Sequence, residues 1–253
     1  MSLPRIYGDL AHLWPVLTPP DHYALEAAEL KTHIDRVFGA TPKSPLDLLD
    51  LGVGGGHTLS HFGEGFRVTG LDVSPSMLDN CARLVPNATL VCADLRYAQL
   101  GQQFDIVLLQ DAADYLVTPD DLRAALHTVA EHLRPGGLAL VAPTYDIETF
   151  VPHETVHDQQ ASEDGTLIVS YLSYVHDPDP ADHRFEMVTA YVINQAGSIQ
   201  VIEDRHTCGL FPREAWLNQL RRAGLEPAVC EHEIWTLFVA QHSAKSRRKH
   251  TRT

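Results

Sequence analysis

The stretch that decides the fold is Asp50-Leu51-Gly52-Val53-Gly54-Gly55-Gly56-His57, which follows an apolar run and opens a helical one. Glycine adopts backbone angles that other residues avoid, and it lets a ligand approach the main chain closely. The spacing is G-x-G-x-G, whereas a dinucleotide site has G-x-G-x-x-G. His57 occupies the place of that third glycine. The stretch therefore predicts a strand, a tight turn that binds a small molecule, and a helix.

Two acidic residues follow the ends of the next two predicted strands. Asp72 lies twenty residues after Gly52, where a carboxylate can accept hydrogen bonds from both hydroxyl groups of a ribose. Asp94 follows the third strand, where a side-chain acceptor can bond the amino group of adenine. Together with the glycine-rich turn, these residues predict a site for an adenosine-containing ligand.

Apolar runs alternate with helical segments on both sides of this turn. Their spacing of about twenty to thirty residues leaves room for crossover helices. The pattern predicts an α/β protein with a Rossmann-like, doubly wound, mostly parallel seven-stranded sheet. The predicted strands are Leu46–Leu51, Phe66–Leu71, Thr89–Ala93, Phe104–Leu109, Leu138–Ala142, Glu226–Cys230 and Trp235–Ala240.

Capping signals mark the ends of the predicted helices. Asp21 is predicted to cap a helix that ends before Gly39. Ser74 and Thr118 each precede a proline at the first helical position, which predicts the starts of two crossover helices. The run Leu133-Arg134-Pro135-Gly136-Gly137 predicts a turn from the second of these helices directly into the fifth strand.

A different pattern begins after Pro143. Three long runs rich in aromatic and β-branched residues, Thr166–Val175, Arg184–Ile193 and Ser198–His206, predict an antiparallel β flap inserted into the chain. Such a flap fits either a substrate cap or a homodimer interface. We therefore divide the chain into an N-terminal arm or lid (1–20), a core (21–144), the flap (145–208), a completion of the core (209–241) and a disordered tail (242–253).

Length and charge narrow the class of protein. A chain of 253 residues can bury one sizeable core. The net charge of -14 argues against nucleic acid as a partner, because a phosphate backbone requires a basic face. There is no signal-peptide pattern and no apolar stretch long enough to cross a membrane, so we expect a cytoplasmic protein without a membrane partner. The four scattered cysteines predict neither disulfides nor a metal site.

Five of these segments, in this order, resemble the motifs of class I methyltransferases that depend on S-adenosylmethionine (SAM). They are Leu49–Gly56, Gly70–Met77, Ala93–Leu95, Phe104–Val107 and Leu133–Gly137, and the resemblance extends over about residues 24–240. It implies SAM as cofactor, S-adenosylhomocysteine as product, and methyl transfer to a small molecule. The family often has a smaller residue where this sequence has Val53, which fits if that side chain points into the sheet.

The resemblance also implies which residues contact the cofactor. The glycines would line the methionine and ribose portions, Asp72 the ribose, and Met77 one face of the adenine. Asp94 with Leu95 would lie at the adenine edge, and Gln110 near the sulfonium. The implied cofactor-binding set is Gly52, Gly54, Gly56, Asp72, Val73, Met77, Asp94, Leu95 and Gln110.

Candidates for catalysis follow the fourth strand. Methyl transfer is an in-line displacement, so alignment in a closed site supplies most of the catalysis, and only a hydroxyl acceptor would need a base. Tyr115 is the first candidate because it follows the carboxyl end of that strand; an equal alternative is that it packs under the flap. Asp111 is the second candidate, and His153 and His206 are further possible bases.

Several alternatives stay open at this point. Tyr7 and Trp14 in the arm either close over the pocket or dock the arm to the core. His153 and His157 have metal-ligand spacing, but Pro152 disfavours the helix they would need, so no metal is predicted. Two rival functions are a nicotinamide-dependent oxidoreductase, which would want the missing third glycine, and a non-catalytic SAM-binding protein.

Within the family, the inserted flap and two segments, Pro143–Phe150 and Leu210–Glu214, are similar to N-methyltransferases that act on amino groups of nucleotide-linked deoxysugars. The segment Asp111–Leu116 differs from that subfamily's loop. An amino sugar is thus one expected acceptor. The sequence does not distinguish transfer to nitrogen, oxygen or carbon.

Overall fold

The computed structural model describes residues 3–231 and 235–242. The predicted disordered tail lies outside these residues apart from His242, which ends the last strand. The strands are β1 (Leu46–Leu51), β2 (Phe66–Asp72), β3 (Thr89–Cys92), β4 (Phe104–Leu109), β5 (Leu133–Val141), β6 (Thr155–Ala161), β7 (Leu167–His176), β8 (Arg184–Gln195), β9 (Ser198–Gly209), β10 (Leu225–Glu231) and β11 (Thr236–His242). The α-helices are α1 (Trp14–Leu17), α2 (Ala24–Phe38), α3 (His57–Ser60), α4 (Pro75–Leu84), α5 (Pro119–His132) and α6 (Arg213–Arg222).

Seven strands form one sheet in the order β10-β11-β5-β4-β1-β2-β3. Neighbours among β1 to β5 pair in parallel, and β11 pairs antiparallel with both β5 and β10. One apolar cluster covers each face of this sheet. The predicted Rossmann-like, mostly parallel seven-stranded sheet is confirmed. Because parallel strands end at the same edge, the tips of β1 to β4 lie side by side.

Two of the three predicted helix N-caps are confirmed by the structure, and one is wrong. The side chains of Ser74 and Thr118 accept hydrogen bonds from the backbone of Met77 and Asp121, as expected of N-caps. The prediction for Asp21 is wrong. Pro20 opens a 3₁₀ turn that contains Asp21, so α2 begins only at Ala24.

Strand β5 begins five residues earlier than predicted. Leu133 already pairs with Phe104, and the register then shifts so that Leu138 pairs with Ile106. The intervening residues bulge out of the ladder, with Gly136 at φ 88°. The run that predicted a turn is therefore an irregular part of the strand itself.

The flap forms a separate antiparallel sheet in the order β6-β7-β8-β9. Three of its strands match the three predicted runs. The fourth, β6, was missed because its side chains are mostly polar and exposed, so no apolar alternation marks it. The N-terminal arm packs on one face of the flap, where Ile6, Leu10 and Leu13 join Val169 and Tyr191 in a buried cluster. The arm therefore lies between the flap and the tips of the main sheet.

Candidate active site

A cavity of about 320 Å³ lies at the carboxyl ends of β1 to β4. It brings together most of the residues predicted to bind the cofactor, together with both predicted catalytic residues. Gly56 and Met77 lie outside its lining. The predicted residues that line it are Gly52, Gly54, Asp72, Val73, Asp94, Leu95, Gln110, Asp111 and Tyr115.

The glycines of the turn make room for different neighbours. A Cβ on Gly52, whose φ is +97°, would lie 2.1 Å from the Cβ of Ala112. A Cβ on Gly55 would lie 2.7 Å from the ring of Trp14 in the arm. At Gly54 a Cβ would meet only the Met77 methyl, at an ordinary 3.6 Å. Close approach of the protein itself thus explains Gly52 and Gly55, while Gly54 leaves the backbone open to the cavity.

The positions of Gly56 and Met77 have packing explanations. Gly56 adopts φ +81°, and a Cβ there would lie 2.6 Å from the Cys81 sulfur, so this glycine lets the turn pack against α4. Met77 is fully buried beneath the same turn. The departure at Val53 is accommodated in the same way, because a Cβ on Gly70 would come within 2.9 Å of the valine methyls.

Asp72 is held rigidly at the end of β2. One carboxylate oxygen accepts a hydrogen bond from the Gly54 backbone at 2.9 Å, and the other from the Ser74 backbone at 2.8 Å. Burial raises the pKa of Asp72, while these backbone N–H groups oppose the rise. Each oxygen keeps a second lone pair, so the carboxylate can still accept both hydroxyls of a ribose.

Asp94 is part of an ion-pair network that the sequence reading missed. Arg96 donates to its carboxylate at 2.6 Å and also pairs with Asp121 on α5. The side-chain hydrogen bond from Arg96 holds the pKa of Asp94 below its usual value. Arg96 also lines the cavity, but the carboxylates of Asp94 and Asp121 balance its charge. The sequence contains a signal for this ion pair, because the oppositely charged Arg96 lies only two residues after Asp94.

Carboxylates set the electrostatic character of the cavity. Asp50, Asp72 and Asp111 all line it. Burial raises the pKa of Asp50 to about 7, and the charges of Asp72 and Asp111 add to the rise. The Asp111 side chain is open to the cavity, yet the surrounding protein raises its pKa as well. Such a site favours a ligand that carries positive charge and disfavours a pyrophosphate.

The N-terminal arm closes one side of the cavity. Trp14 donates its indole N–H to Nδ1 of His57 at 3.1 Å, and burial lowers the pKa of His57 to about 4, so the ring is a neutral acceptor. The hydroxyl of Ser74 donates to the carbonyl of Tyr7. Trp14 and Tyr7 both line the cavity and both pack against the flap cluster. Tyr7 and Trp14 therefore both border the pocket and dock the arm, so the two alternatives stated for them do not exclude each other.

Tyr115 lies where the arm, the flap and the main sheet meet. Its hydroxyl oxygen is 3.0 Å from that of Tyr7 and 2.7 Å from Nδ1 of His206 on β9. Burial raises the pKa of Tyr115 well above its usual value, so the hydroxyl keeps its proton at neutral pH. On the other side of the His206 ring, Nε2 lies 3.3 Å from a carboxylate oxygen of Asp204.

The other two candidate histidines lie elsewhere. His153 is exposed, adopts φ 67° and contacts the hydroxyl of Tyr174. His157 is exposed on β6. Within the described ranges there is no group of three or more side chains able to hold a metal ion. Among the histidines proposed as bases, only His206 contacts Tyr115.

The pairing of His206 with Asp204 was not predicted, although the sequence contains its signal. The two residues are separated by one position on β9, and side chains at i and i+2 of a strand share a face. That pattern could have shown their proximity. It could not have shown that the shared face meets Tyr115, which is about ninety positions earlier in the chain.

A Rossmann-like sheet whose glycine turn and first strand tips surround an acidic cavity defines the class I SAM-binding fold. Comparisons with known proteins agree with this fold. Residues 48–137 match the family model described as "Methyltransferase domain". A dTDP-3-amino-3,6-dideoxy-alpha-D-glucopyranose N,N-dimethyltransferase of Streptomyces fradiae is 31% identical over 222 residues, 86% of this chain and 84% of that protein. The chain therefore belongs to the SAM-dependent methyltransferase family.

Two further proteins support this assignment. A dTDP-3-amino-3,4,6-trideoxy-alpha-D-glucopyranose N,N-dimethyltransferase of Streptomyces venezuelae is 39% identical over 130 residues, 51% of this chain. The matched part covers 53% of that relative, about half its length. The SAM-bound structure of CalS10, an amino pentose methyltransferase from Micromonospora echinaspora, has a TM-score of 0.74 at 29% identity and covers 87% of this chain and 92% of that one.

Family membership decides between the functions that the sequence left open. The protein is a SAM-dependent methyltransferase that acts on a small molecule, and the nicotinamide-dependent and non-catalytic alternatives are set aside. The acidic cavity and the open backbone at Gly54 fit SAM, which carries a sulfonium and an ammonium group. None of the helices in the described segments has the length and hydrophobicity to span a bilayer.

Proposed function

We propose that this protein methylates the amino nitrogen of a nucleotide-linked deoxysugar. The observation that carries the proposal is Tyr115, which lines the cavity and whose hydroxyl lies within hydrogen-bond distance of Tyr7 and His206. An amine needs a hydrogen-bond acceptor that orients its lone pair, and it needs no strong base. The similar proteins that act on amino sugars support the nature of the acceptor.

The side chains around the cavity have separate roles in this proposal. SAM supplies a methyl group on a positively charged sulfur, and the glycine turn, Asp72, Asp94 and Gln110 hold it in place. Tyr115 accepts an N–H of the amine and turns the nitrogen lone pair toward the methyl group. As the nitrogen–carbon bond forms and the sulfur–carbon bond breaks, one N–H proton must leave. Asp111 is suited to take it, because desolvation by the surrounding protein raises the pKa of its carboxylate.

Arg184 is suited to contact the nucleotide part of the acceptor. Its Nε donates to the carbonyl of Val117, a residue of the cavity lining, at 3.1 Å. This places a guanidinium from the start of β8 against a residue of the cavity lining. Guanidinium groups bind phosphate oxygens in a bidentate manner. We therefore expect Arg184→Ala to raise KM for a nucleotide-linked amino sugar, but not for the free amino sugar.

The experiment that tests the function compares matched acceptors. A dTDP-linked amino deoxysugar and its hydroxyl analogue are each incubated with SAM, and the products are measured by mass spectrometry. We expect methylated products from the amine alone. In Tyr115→Phe, kcat should fall about tenfold or more, the range of a lost positioning contact, with the SAM Kd unchanged. Tyr97→Phe, on an exposed tyrosine, is the control. Equal methylation of the hydroxyl analogue, or an unaltered kcat in Tyr115→Phe, would refute the proposal.

We further propose that the outer face of the flap forms a homodimer interface. Apolar side chains stand exposed there on β7, β8 and β9. A patch of this kind on a sheet face favours self-association. Sedimentation should show a dimer that Val201→Lys dissociates, and a monomeric parent protein would contradict this idea. The exposed residues are Leu172, Val192, Ile199 and Val201.

The cellular setting is also a proposal. The free thiols of Cys81, Cys92, Cys208 and Cys230 suit a reducing compartment, so we expect the protein in the cytoplasm. The net charge of -14 suits a small-molecule acceptor better than nucleic acid. Cell fractionation and a filter-binding assay with DNA and RNA test these two expectations.

A further inference from the structure

Asp204 is a buried carboxylate on which two separate parts of the molecule converge. Its Oδ1 accepts a hydrogen bond from the backbone N–H of Arg5 at 2.9 Å, and its Oδ2 accepts one from that of Ile6 at 2.8 Å. Nε2 of His206 lies 3.3 Å from the same Oδ2. The side chain of Asp204 is only 2% exposed. One flap residue thus binds the start of the arm and the ring that contacts Tyr115.

A second contact joins the same parts on the cavity side. Tyr7 follows Ile6 in the arm, and its hydroxyl lies 3.0 Å from that of Tyr115. Tyr115 is in turn 2.7 Å from Nδ1 of His206. The contacts therefore close a ring that runs from Asp204 through the arm to Tyr115 and back through His206. Displacing the arm would break this ring at two points.

The arm is also bound to the cofactor side of the cavity. Trp14 donates to His57 in the glycine-rich turn, and Ser74 at the tip of β2 donates to the Tyr7 carbonyl. A further hydrogen bond runs from the Asn80 amide on α4 to the Ala11 carbonyl at 2.8 Å. The position of the arm over the cofactor site and the position of Tyr7 are consequently linked.

We propose that Asp204 is a positioning residue for methyl transfer, which couples closure of the arm over the cofactor to the orientation of His206 and the Tyr115 hydroxyl. The proposal rests on the role given to Tyr115 in the proposed function. Asp204 acts through its neighbours, since it is absent from the cavity lining. Burial opposes the charge of Asp204, but the adjacent His206 ring and the backbone hydrogen bonds from Arg5 and Ile6 lower its pKa overall.

The carboxylate is suited to this role in a way that an amide is not. A carboxylate offers two acceptor oxygens, and here both face N–H donors. The side chain of asparagine has one acceptor oxygen and one NH₂ group. The amide of Asp204→Asn has two possible orientations. In one, its NH₂ group faces the Arg5 N–H; in the other, it faces the Ile6 N–H and the His206 ring. Either choice loosens the arm, the imidazole or both.

The first test measures the arm and the reaction separately. In Asp204→Asn, hydrogen exchange at the Arg5 and Ile6 amides should accelerate roughly ten- to hundredfold with SAM bound, the range expected for a hydrogen bond to a charged group. The kcat should fall at least about tenfold, and KM for the acceptor should change less. Glu203→Gln makes the same charge change one residue earlier on the same strand, at an exposed ion pair with Arg205, and should behave as the parent protein.

A second pair of variants leaves the buried carboxylate untouched, in case Asp204→Asn fails to fold. Arg5 is the first residue of a 3₁₀ turn, where proline is tolerated, so Arg5→Pro removes one N–H donor to Asp204. Arg5→Ala keeps that N–H and removes only the exposed ion pair with Asp9. We expect faster exchange at Ile6 and a lower kcat in Arg5→Pro than in Arg5→Ala.

The coupling itself is tested by a double-mutant cycle. If Asp204 acts through Tyr115, the effects of Asp204→Asn and Tyr115→Phe on kcat should be strongly non-additive. Additive effects, unchanged exchange at the arm in Asp204→Asn, or equal behaviour of Arg5→Pro and Arg5→Ala would each overturn the proposal. The exchange measurements need only SAM. A wrong acceptor would therefore leave them intact, which separates failure of this proposal from failure of the proposed function.

Discussion

The two sides of the cavity are built in different ways. On the cofactor side, Asp72 is fixed by Ser74 two residues away and Gly54 eighteen residues away, and Asp94 is fixed by Arg96 two residues away. On the side of the flap and arm, Asp204 binds Arg5 across 199 positions. The acidic residues on the cofactor side are thus held mainly by local contacts, and the arm adds hydrogen bonds to His57 and Ser74 on this side. The acceptor side exists only when distant segments have assembled.

The largest effect is expected from a change in the glycine turn. Gly52→Ala places a Cβ against Ala112 and forces a non-glycine residue to φ +97°, which together should cost about 3 kcal/mol or more. SAM binding should be lost in calorimetry, and the thermal midpoint should fall. Gly63→Ala is the control, because a Cβ there meets nothing within 4 Å. Normal SAM binding in Gly52→Ala would show that the cofactor side of the cavity does not depend on a rigid glycine turn.

The second prediction uses the glycine that joins the flap to the core. Gly209→Ala would bring a Cβ within 2.1 Å of the Leu116 carbonyl oxygen, so the end of β9 must shift, at a cost of about 2 kcal/mol. We expect a clear fall in kcat, while Kd for SAM stays within about threefold of the parent value. Equal loss of SAM binding and turnover would show that the two sides are not separable.

The third prediction concerns pH. Burial raises the pKa of Asp50 to about 7, so this carboxyl is partly protonated in the free protein. The positive charge of SAM favours the ionised form of Asp50. Kd for SAM should therefore fall as pH rises from 6 to 8, by up to about tenfold. Asp50→Asn should flatten this dependence. The titration of SAM itself is common to both proteins, so the difference between their profiles isolates Asp50.

The smallest effect compares two N-caps. Ser74→Ala and Thr118→Ala each remove a side chain that accepts a backbone hydrogen bond, at about 1 kcal/mol of unfolding free energy. Only Ser74 also donates to the arm, at the Tyr7 carbonyl. Chemical denaturation should show similar losses, whereas hydrogen exchange of the arm should accelerate in Ser74→Ala alone. Matching exchange in both variants would mean that this contact does not fasten the arm.

The contrast between local contacts on the cofactor side and distant contacts on the side of the flap and arm explains which features could be predicted from the sequence. The strand runs, the caps at Ser74 and Thr118, and the acids Asp72 and Asp94 all carry local signals, and the structure places these acids at one cavity. Their spacing reflects backbone geometry within one strand, turn or helix.

The remaining features depend on contacts that no local pattern encodes. The polar strand β6 is specified by pairing with β7, and the start of α2 shifts because Pro20 opens a tighter turn. Gly56 is predicted to line the cofactor, and its close approach to the sulfur of Cys81 is a further reason for a glycine that no local pattern shows. The ring that joins Asp204 to Tyr115 depends on how the flap and arm fold back over the sheet.

The separation of the arm from its partner also orders events during synthesis. Arg5 and Ile6 are added to the growing chain 199 and 198 positions before Asp204. The strands of the parallel sheet can pair as they emerge, since proteins generally fold from the N-terminal side during translation. The arm has to wait, because its closure joins the ends of a long loop and needs the finished flap to offset the entropy. The nascent enzyme thus passes through a stage in which the mouth of the site is uncovered.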